Sequence, residues 1–322
     1  MKVLVLDDYL DIARGSADWS LLGHDAQVRV LQEHLASREA RLRELRPFDV
    51  VVAMRERTPF PADLLEALPN LRLLVTTGTR NNSIDLAACQ RLGITVCAAP
   101  GDSSGSAPAE LAWGLILGLV KRIPMEHQAL LAGRWQTGAT GLIAGKRLGV
   151  VGLGKLGSQV AKVGAAFGME VVAWSPNLTD ERAAAAGVTR VGKADLFATA
   201  DVVSLHLVAS PATAGIVSRA DLRAMKPSAF LVNTARAELV EAGALEEALA
   251  AGWIAGAGLD VFRTEPLPPD DPLRGLPNVI LVPHLGYVTP ETMTAFYRNA
   301  VEAIVAWAAG KPIRVLAPQV AA

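Results

Sequence analysis

Three residues of this 322-residue chain share a setting in which chemistry can be done. Arg236 follows the apolar run "AFLVNTA", Glu265 follows "GLDVFRT", and His284 follows "NVILVP". In an open parallel sheet, ligands bind outside the carboxyl ends of the strands, so residues leaving such ends converge on one crevice. Arginine presents a planar fork that grips a carboxylate. Histidine titrates near neutrality and passes a proton. A glutamate beside it stabilises the imidazolium form. Taken singly, each has an ordinary reading: a surface charge, a solvated loop acid, a packed histidine. Taken together and supplied with a hydride carrier, they match the reduction of a 2-keto acid to a 2-hydroxy acid.

A site for such a carrier is written into "LGVVGLGKLGSQVAK", where Gly152, Gly154 and Gly157 have the GxGxxG spacing. An apolar strand precedes the motif and a helical pattern follows it, which is the context that gives the spacing meaning. Gly152 allows a tight turn, Gly154 lets backbone approach a pyrophosphate, and Gly157 lets helix and strand pack closely. The helix N-terminus offers free N–H groups to the phosphates. In NAD-binding proteins the next strand ends in a carboxylate that accepts from the adenosine ribose. Here it ends "VVAWSPNLTDER", and the position falls at Ser175 or Pro176. Without the carboxylate a 2′-phosphate is not repelled, yet no arginine adjoins Ser175 and Arg182 is seven residues on. The cofactor reads as NAD or NADP.

These residues need elements to position them. "KVLVLDD" and "DVVVAMR" read as strands with the charged amphipathic helix "SREARLREL" between them, followed by "LRLLVTTG", the helix "IDLAACQRLG" and the strand "ITVCAA". This βαβ series predicts a parallel sheet. "PGDSSGSAP", residues 100–108, reads as a hinge before a helix over 109–122. A second series supplies six strand candidates: "KRLGVVGLG", "EVVAWS", "DVVSLHL", "AFLVNTA", "AGAGLDVF" and "NVILVPH". The helix "GSQVAKVGAAFG" follows the first of them. Six parallel strands suit a doubly wound dinucleotide fold. After His284 a long helix, "PETMTAFYRNAVEAIVAWAAG", can cross back to the first series. The expected architecture is α/β with two Rossmann-like parallel-sheet domains. Residues 1–103 and 288–322 form a flavodoxin-like substrate domain, and 104–287 form the inserted dinucleotide domain.

Composition narrows the function classes. Apolar residues make up 51% and charged residues 20%, the profile of a globular chain with a large core. A net charge of −1 gives no electrostatic case for nucleic acid or an anionic membrane. "MKVLVLDDYL" reads as a first strand rather than a signal peptide, and "AELAWGLILGLVKRI" is shorter than a membrane span. Cys89 and Cys97 form no CxxC pair and read as apolar-core or near-surface thiols in a reducing compartment rather than a disulfide or metal site. A cytoplasmic protein is expected.

In "GVVGLGKLG", "VNTARAELV", "GAGLDVFRTEPLP" and "VPHLGYVT", in that order, the chain resembles the D-isomer-specific 2-hydroxyacid dehydrogenases over essentially its whole length. The resemblance implies that Arg236 holds the carboxylate and keto oxygen of a small 2-keto acid. His284 is then the acid in reduction and Glu265 its charge partner. It further implies that Asp260 orients the nicotinamide amide, that Lys155 and Leu156 offer backbone at the pyrophosphate, and that Thr234, Ala235 and Gly286 line the nicotinamide end. Substrate contacts are expected from Arg55, Gly78, Thr79 and Arg80. The family's "NTARG" is "NTARA" here, with Ala237 replacing glycine, and its loop "GxGxDNxD" is "TTGTRNNSID". Arg80 either points to solvent or adds a cation that favours a second acidic group on the substrate. Relatives of this fold include dinucleotide sensors, which need no Arg–Glu–His set, and formate and phosphite dehydrogenases; formate enzymes typically place Gln before the His, whereas the partner here is Glu265. Long phosphoglycerate forms carry a C-terminal regulatory domain, and none is expected after "KPIRVLAPQVAA". A homodimer through the dinucleotide domain is expected, with "AELAWGLILGLVKRI" and "MEHQALLAGRWQTG", bearing Trp113 and Trp135, as its surface.

Overall fold

Runs such as "VVVA" and the "LLV" of "LLVTT" are apolar at every position, which suits strands covered on both faces. The computed structural model, which describes residues 1–101 and 105–318, places them so. The chain divides into two units, Met1–Ser104 with Thr289–Ala322, and Gly105–Val288. The expected boundary at 103/104 and residues 102–104 of the expected hinge lie outside the described residues.

Unit 1 holds β1 (Lys2–Val5), α1 (Ala13–Ser16), β2 (Gln27–Val30), α2 (Arg38–Leu45), β3 (Val50–Ala53), α3 (Ala62–Glu66), β4 (Leu73–Thr77), α4 (Leu86–Arg91) and β5 (Thr95–Ala99). All five strands are parallel, in the order β2-β1-β3-β4-β5. That is the flavodoxin-like order. Ser37 and Asp85 cap α2 and α4 through their side chains, as their residue types favour. One apolar cluster runs from Leu4 and Val51 to Leu64, Leu65 and Ile84. The late helix α12 (Pro290–Ala308) belongs to this unit and packs on β4, β5 and α1. It buries Phe296, Tyr297 and Ile304. Tyr297 donates its hydroxyl to Asp8 Oδ1 at 3.2 Å, and Ala98 and Arg314 exchange backbone and side-chain bonds at 2.9 and 3.0 Å.

Unit 2 holds α5 (Ala107–Val120), α6 (Ile123–Leu131), β6 (Arg147–Val151), α7 (Lys155–Ala166), β7 (Glu170–Trp174), α8 (Asp180–Ala185), β8 (Thr189–Arg190), α9 (Lys193–Thr199), β9 (Val202–Leu205), α10 (Arg219–Ala224), β10 (Phe230–Asn233), α11 (Ala244–Ala250), β11 (Gly256–Leu259) and β12 (Val279–Leu281). The seven strands are parallel, in the order β12-β11-β10-β9-β6-β7-β8. Counted from β6, this is the 3-2-1-4-5-6 dinucleotide order with one strand added. The order reverses between β6 and β9, so a ligand crevice is expected outside their carboxyl ends.

Three expectations need correction. β2 was not anticipated: its residues alternate exposed and half-buried at a sheet edge, and no apolar run marks it. β8 adds a seventh strand to the expected six, and at two exposed residues it has no periodicity to read. The helix expected over 109–122 spans Ala107–Val120 and gives way to α6 at Arg122, whose φ of 54° breaks the helical path.

Candidate active site

The glycine motif is built by contact. Gly152 leaves β6 with φ +100°, and a Cβ there would lie 2.8 Å from the backbone of His206 and Leu207. Only glycine takes that conformation at little cost. A Cβ on Gly157 would sit 2.0 Å from the carbonyl oxygen of Gly152, so the missing side chain is what lets α7 close on β6. Gly154, the residue before α7, differs: among the described residues nothing lies within 4 Å of its Cβ position. It is exposed, as is Lys155, while Leu156 is half-buried. The first amides of α7 have no intrahelical acceptor and carry the positive end of the helix dipole. Open space before donor amides fits a pyrophosphate. Gly152 donates its amide to the Trp174 carbonyl at 2.8 Å, which brings Ser175 beside the same turn.

Arg236 follows β10 and is half-buried. Its presentation is organised by Asn233, whose Oδ1 accepts from the Ala235 amide at 3.0 Å and whose Nδ2 donates to the Arg236 carbonyl at 2.9 Å. Arg236 Nη1 donates to the Ala235 carbonyl at 2.7 Å. Thr234 is buried and Ala235 half-buried on the same turn. Ala237 opens a short 3₁₀ turn and has no positive φ, so the family's glycine is not needed there.

Glu265 and His284 meet beyond β11 and β12. His284 Nδ1 and Glu265 Oε2 are 2.6 Å apart, and Glu265 Oε1 accepts from the Phe262 amide at 2.9 Å. Burial pushes the Glu265 carboxyl up, but the hydrogen bond and charge of His284, the Phe262 amide and the Arg236 charge outweigh it. The carboxyl therefore sits below its ordinary value. With Nδ1 turned to Glu265, the imidazole presents Nε2 as its other proton site. The Tyr287 ring meets it edge-on, 5.5 Å between centroids.

Asp260 is buried, and both of its oxygens are engaged: Oδ1 accepts from Leu285 N at 2.5 Å and Oδ2 from Gly286 N at 2.9 Å. Burial pushes its carboxyl up to about 6, against the pull of those two amides and of His284. Asp260 thus ties the end of β11 to the strap that carries His284. The strap needs tying, because His284 itself has φ 54°, a region costly for a side-chain-bearing residue. Gly286 is buried against Asp260 and Pro108.

Unit 1 has its own strand-end turn. Gly78 follows β4 with φ +95°, and the Arg55 guanidinium occupies the space a Cβ would take. Arg55 has φ 52°, and its amide donates to Thr77 Oγ1 at 2.9 Å. Asn81 is buried and donates to the Arg55 carbonyl at 2.6 Å and to Thr76 Oγ1 at 2.9 Å. Thr79 and Arg80 are exposed, and Arg80 has no ion-pair partner among the described residues.

The structure therefore brings together Glu265 with His284, Asp260 with Gly286, Arg55 with Gly78, and the three motif glycines. Sequence reasoning missed Asn233 and Asn81, the side chains that shape two of these turns. Their one signal was an Asx residue at a strand end or turn. The interface expectation also changes. Trp113 is buried within unit 2, donating to the Val160 carbonyl at 3.2 Å and packing on Phe167. Among the described residues no helix is long and apolar enough to cross a membrane.

A family profile described as D-isomer specific 2-hydroxyacid dehydrogenase, NAD binding domain, matches residues 113–286. The chain is 38% identical over 258 residues to a glyoxylate reductase of Aeropyrum pernix, covering 77% of each protein. It is 36% identical to a D-3-phosphoglycerate dehydrogenase of Archaeoglobus fulgidus, covering 86% of this chain but 53% of that one. A crystal structure of a phosphoglycerate oxidoreductase from Vibrio cholerae superposes with a TM-score of 0.91 at 40% identity, covering 96% and 99% of the two chains. With that glycine turn, those strand-end residues and these relatives, the chain belongs to the D-isomer specific 2-hydroxyacid dehydrogenases and is an NAD(P)-dependent oxidoreductase.

Proposed function

We propose that this chain interconverts a small 2-keto acid and its D-2-hydroxy acid, with Arg236, Glu265 and His284 as the reacting groups. The 2.6 Å contact between His284 Nδ1 and Glu265 Oε2 carries the reading. Glu265 holds one nitrogen, so His284 Nε2 delivers a proton to the keto oxygen in reduction and takes it back in oxidation. Arg236 binds the substrate carboxylate through its fork and stabilises charge developing on the keto oxygen. NAD(P)H, when bound, supplies the hydride. The amides of Lys155, Leu156 and Gly157 hold its pyrophosphate, Ser175 meets the adenosine ribose, and Thr234, Ala235, Asp260 and Gly286 serve the nicotinamide end. In unit 1, Arg55, Gly78, Thr79 and Arg80 are the substrate-binding candidates. The relatives' names make glyoxylate and phosphorylated three-carbon acids the first compounds to try.

The test is His284→Gln. Its kcat should fall about 100- to 10,000-fold, the usual contribution of a positioned acid, while dinucleotide still quenches or enhances fluorescence as in the parent. A kcat near the parent's overturns the assignment. Absorbance assays with NADH and NADPH against glyoxylate, phosphohydroxypyruvate, hydroxypyruvate, pyruvate, 2-ketoglutarate and oxaloacetate define the substrate.

We also infer a homodimer formed through unit 2. Support comes from α6 and the segment after it, where Leu131, Trp135 and Leu142 are 71%, 78% and 71% exposed. Such apolar side chains fit the core of an interface. Light scattering on the eluted protein measures it. Cys89 and Cys97 are both buried free thiols, in keeping with a cytoplasmic location.

A further inference from the structure

The loop after β7 says which dinucleotide the site takes, an inference that rests on the cofactor site proposed above. Val151 and Trp174 are register partners, and the Gly152 amide bonds the Trp174 carbonyl. The pyrophosphate turn and the end of β7 are thus one joined surface, and Ser175 begins the loop that faces the adenosine ribose in this fold. Residues 175–179 read Ser-Pro-Asn-Leu-Thr, with no carboxylate to hold a 2′-hydroxyl or repel a 2′-phosphate.

Arg182 stands seven residues past Ser175 in sequence, yet its side chain reaches back to the loop that Ser175 begins. Thr179 caps α8 by accepting from the Arg182 amide at 3.3 Å, and the first turn brings the side chain back over the loop. Its Nη1 donates to the Asn177 carbonyl at 3.2 Å. That bond uses one of five guanidinium donors, and among the described residues no carboxylate pairs with the rest. The acidic neighbours are engaged elsewhere. Asp180 pairs with Arg190 at 3.2 Å, and Glu181 is held below the ordinary carboxylate range first by the Thr179 hydroxyl. Ser175 is half-buried and Asn177 exposed, and neither side chain is committed to a protein acceptor among the described residues.

We propose that this loop binds a 2′-phosphate and that NADP(H) is the preferred dinucleotide, with Arg182 as the phosphate's cation and Ser175 and Asn177 as its hydrogen-bond donors. An arginine fork gives a phosphate charge-assisted bonds that a ribose hydroxyl does not receive.

Calorimetry on the full chain tests this without turnover. NADPH should bind at least about tenfold tighter than NADH, the equivalent of one such contact, and adenosine 2′,5′-bisphosphate should compete better than AMP. Arg182→Ala should weaken NADPH by about tenfold or more and leave NADH within about twofold, with Arg182→Lys between the two. Arg182 is exposed, so its removal leaves the core intact, and circular dichroism checks this. NADH binding as tightly as NADPH, or an unchanged ratio in Arg182→Ala, overturns the proposal and leaves the dehydrogenase reading standing. Failure of both dinucleotides to bind overturns the cofactor site itself, and this inference with it.

Discussion

Gly78 and Gly152 occupy equivalent places in two different sheets. Each follows the last residue of a parallel strand, and each has a strongly positive φ, +95° and +100°. What fills the missing side chain differs. At Gly78 it is the guanidinium of Arg55, from the end of the neighbouring strand; at Gly152 it is the backbone of residues 206–207. Two residues beyond Gly152, the space before Gly154 is open among the described residues. One turn therefore presents a cation and the other the first amides of a helix. A glycine at a strand end is not by itself a ligand site; what occupies its Cβ position decides its role.

The comparison can be broken with one substitution made at two glycines three residues apart. Gly157→Ala places a methyl 2.0 Å from a backbone oxygen that cannot move alone. It should cost roughly 3 kcal/mol or more, and calorimetric scans should show Tm falling by about 6–12 °C. Gly154→Ala places the same methyl in open space. Its Tm should stay within about 3 °C, while dinucleotide Kd rises about tenfold. Equal effects of the two on Tm would erase the distinction between packed and reserved space. The smallest effect is expected at Arg80, which is exposed. Arg80→Ala should leave stability within about 0.5 kcal/mol and lower kcat/KM for oxaloacetate about threefold relative to pyruvate. An unchanged ranking of mono- and diacid substrates assigns Arg80 to solvent.

Much of this was legible because buried parallel strands write their positions in mainly apolar runs. β3, β4, β6, β9 and β10 were each evident in that way, and with them the residues that leave their ends. The unread parts share a physical cause, which is that their signal is not local. β2 and β8 lie at sheet edges, where water replaces half the packing that would have shaped their composition. Asn233 and Asn81 shape turns through side-chain bonds that any Asn could make or forgo. The reach of Arg182 back to Asn177 is not legible in the sequence because a helical turn, not sequence distance, sets where its side chain lands. Trp113 and Trp135 were equally apolar candidates for an interface, and only packing separates the buried one from the exposed one.

The seating of α12 on β4 and β5 has a consequence for how the chain is made. Unit 2 is one uninterrupted stretch and can fold as it emerges from a ribosome. Unit 1 cannot. Its sheet is synthesised first, yet Asp8 waits for the hydroxyl of Tyr297, and Ala98 waits for Arg314, until all of unit 2 has been translated. During that interval the nascent sheet is bare where α12 will lie, a surface open to chaperones. Of the two units, the one whose sheet is made earlier is completed later.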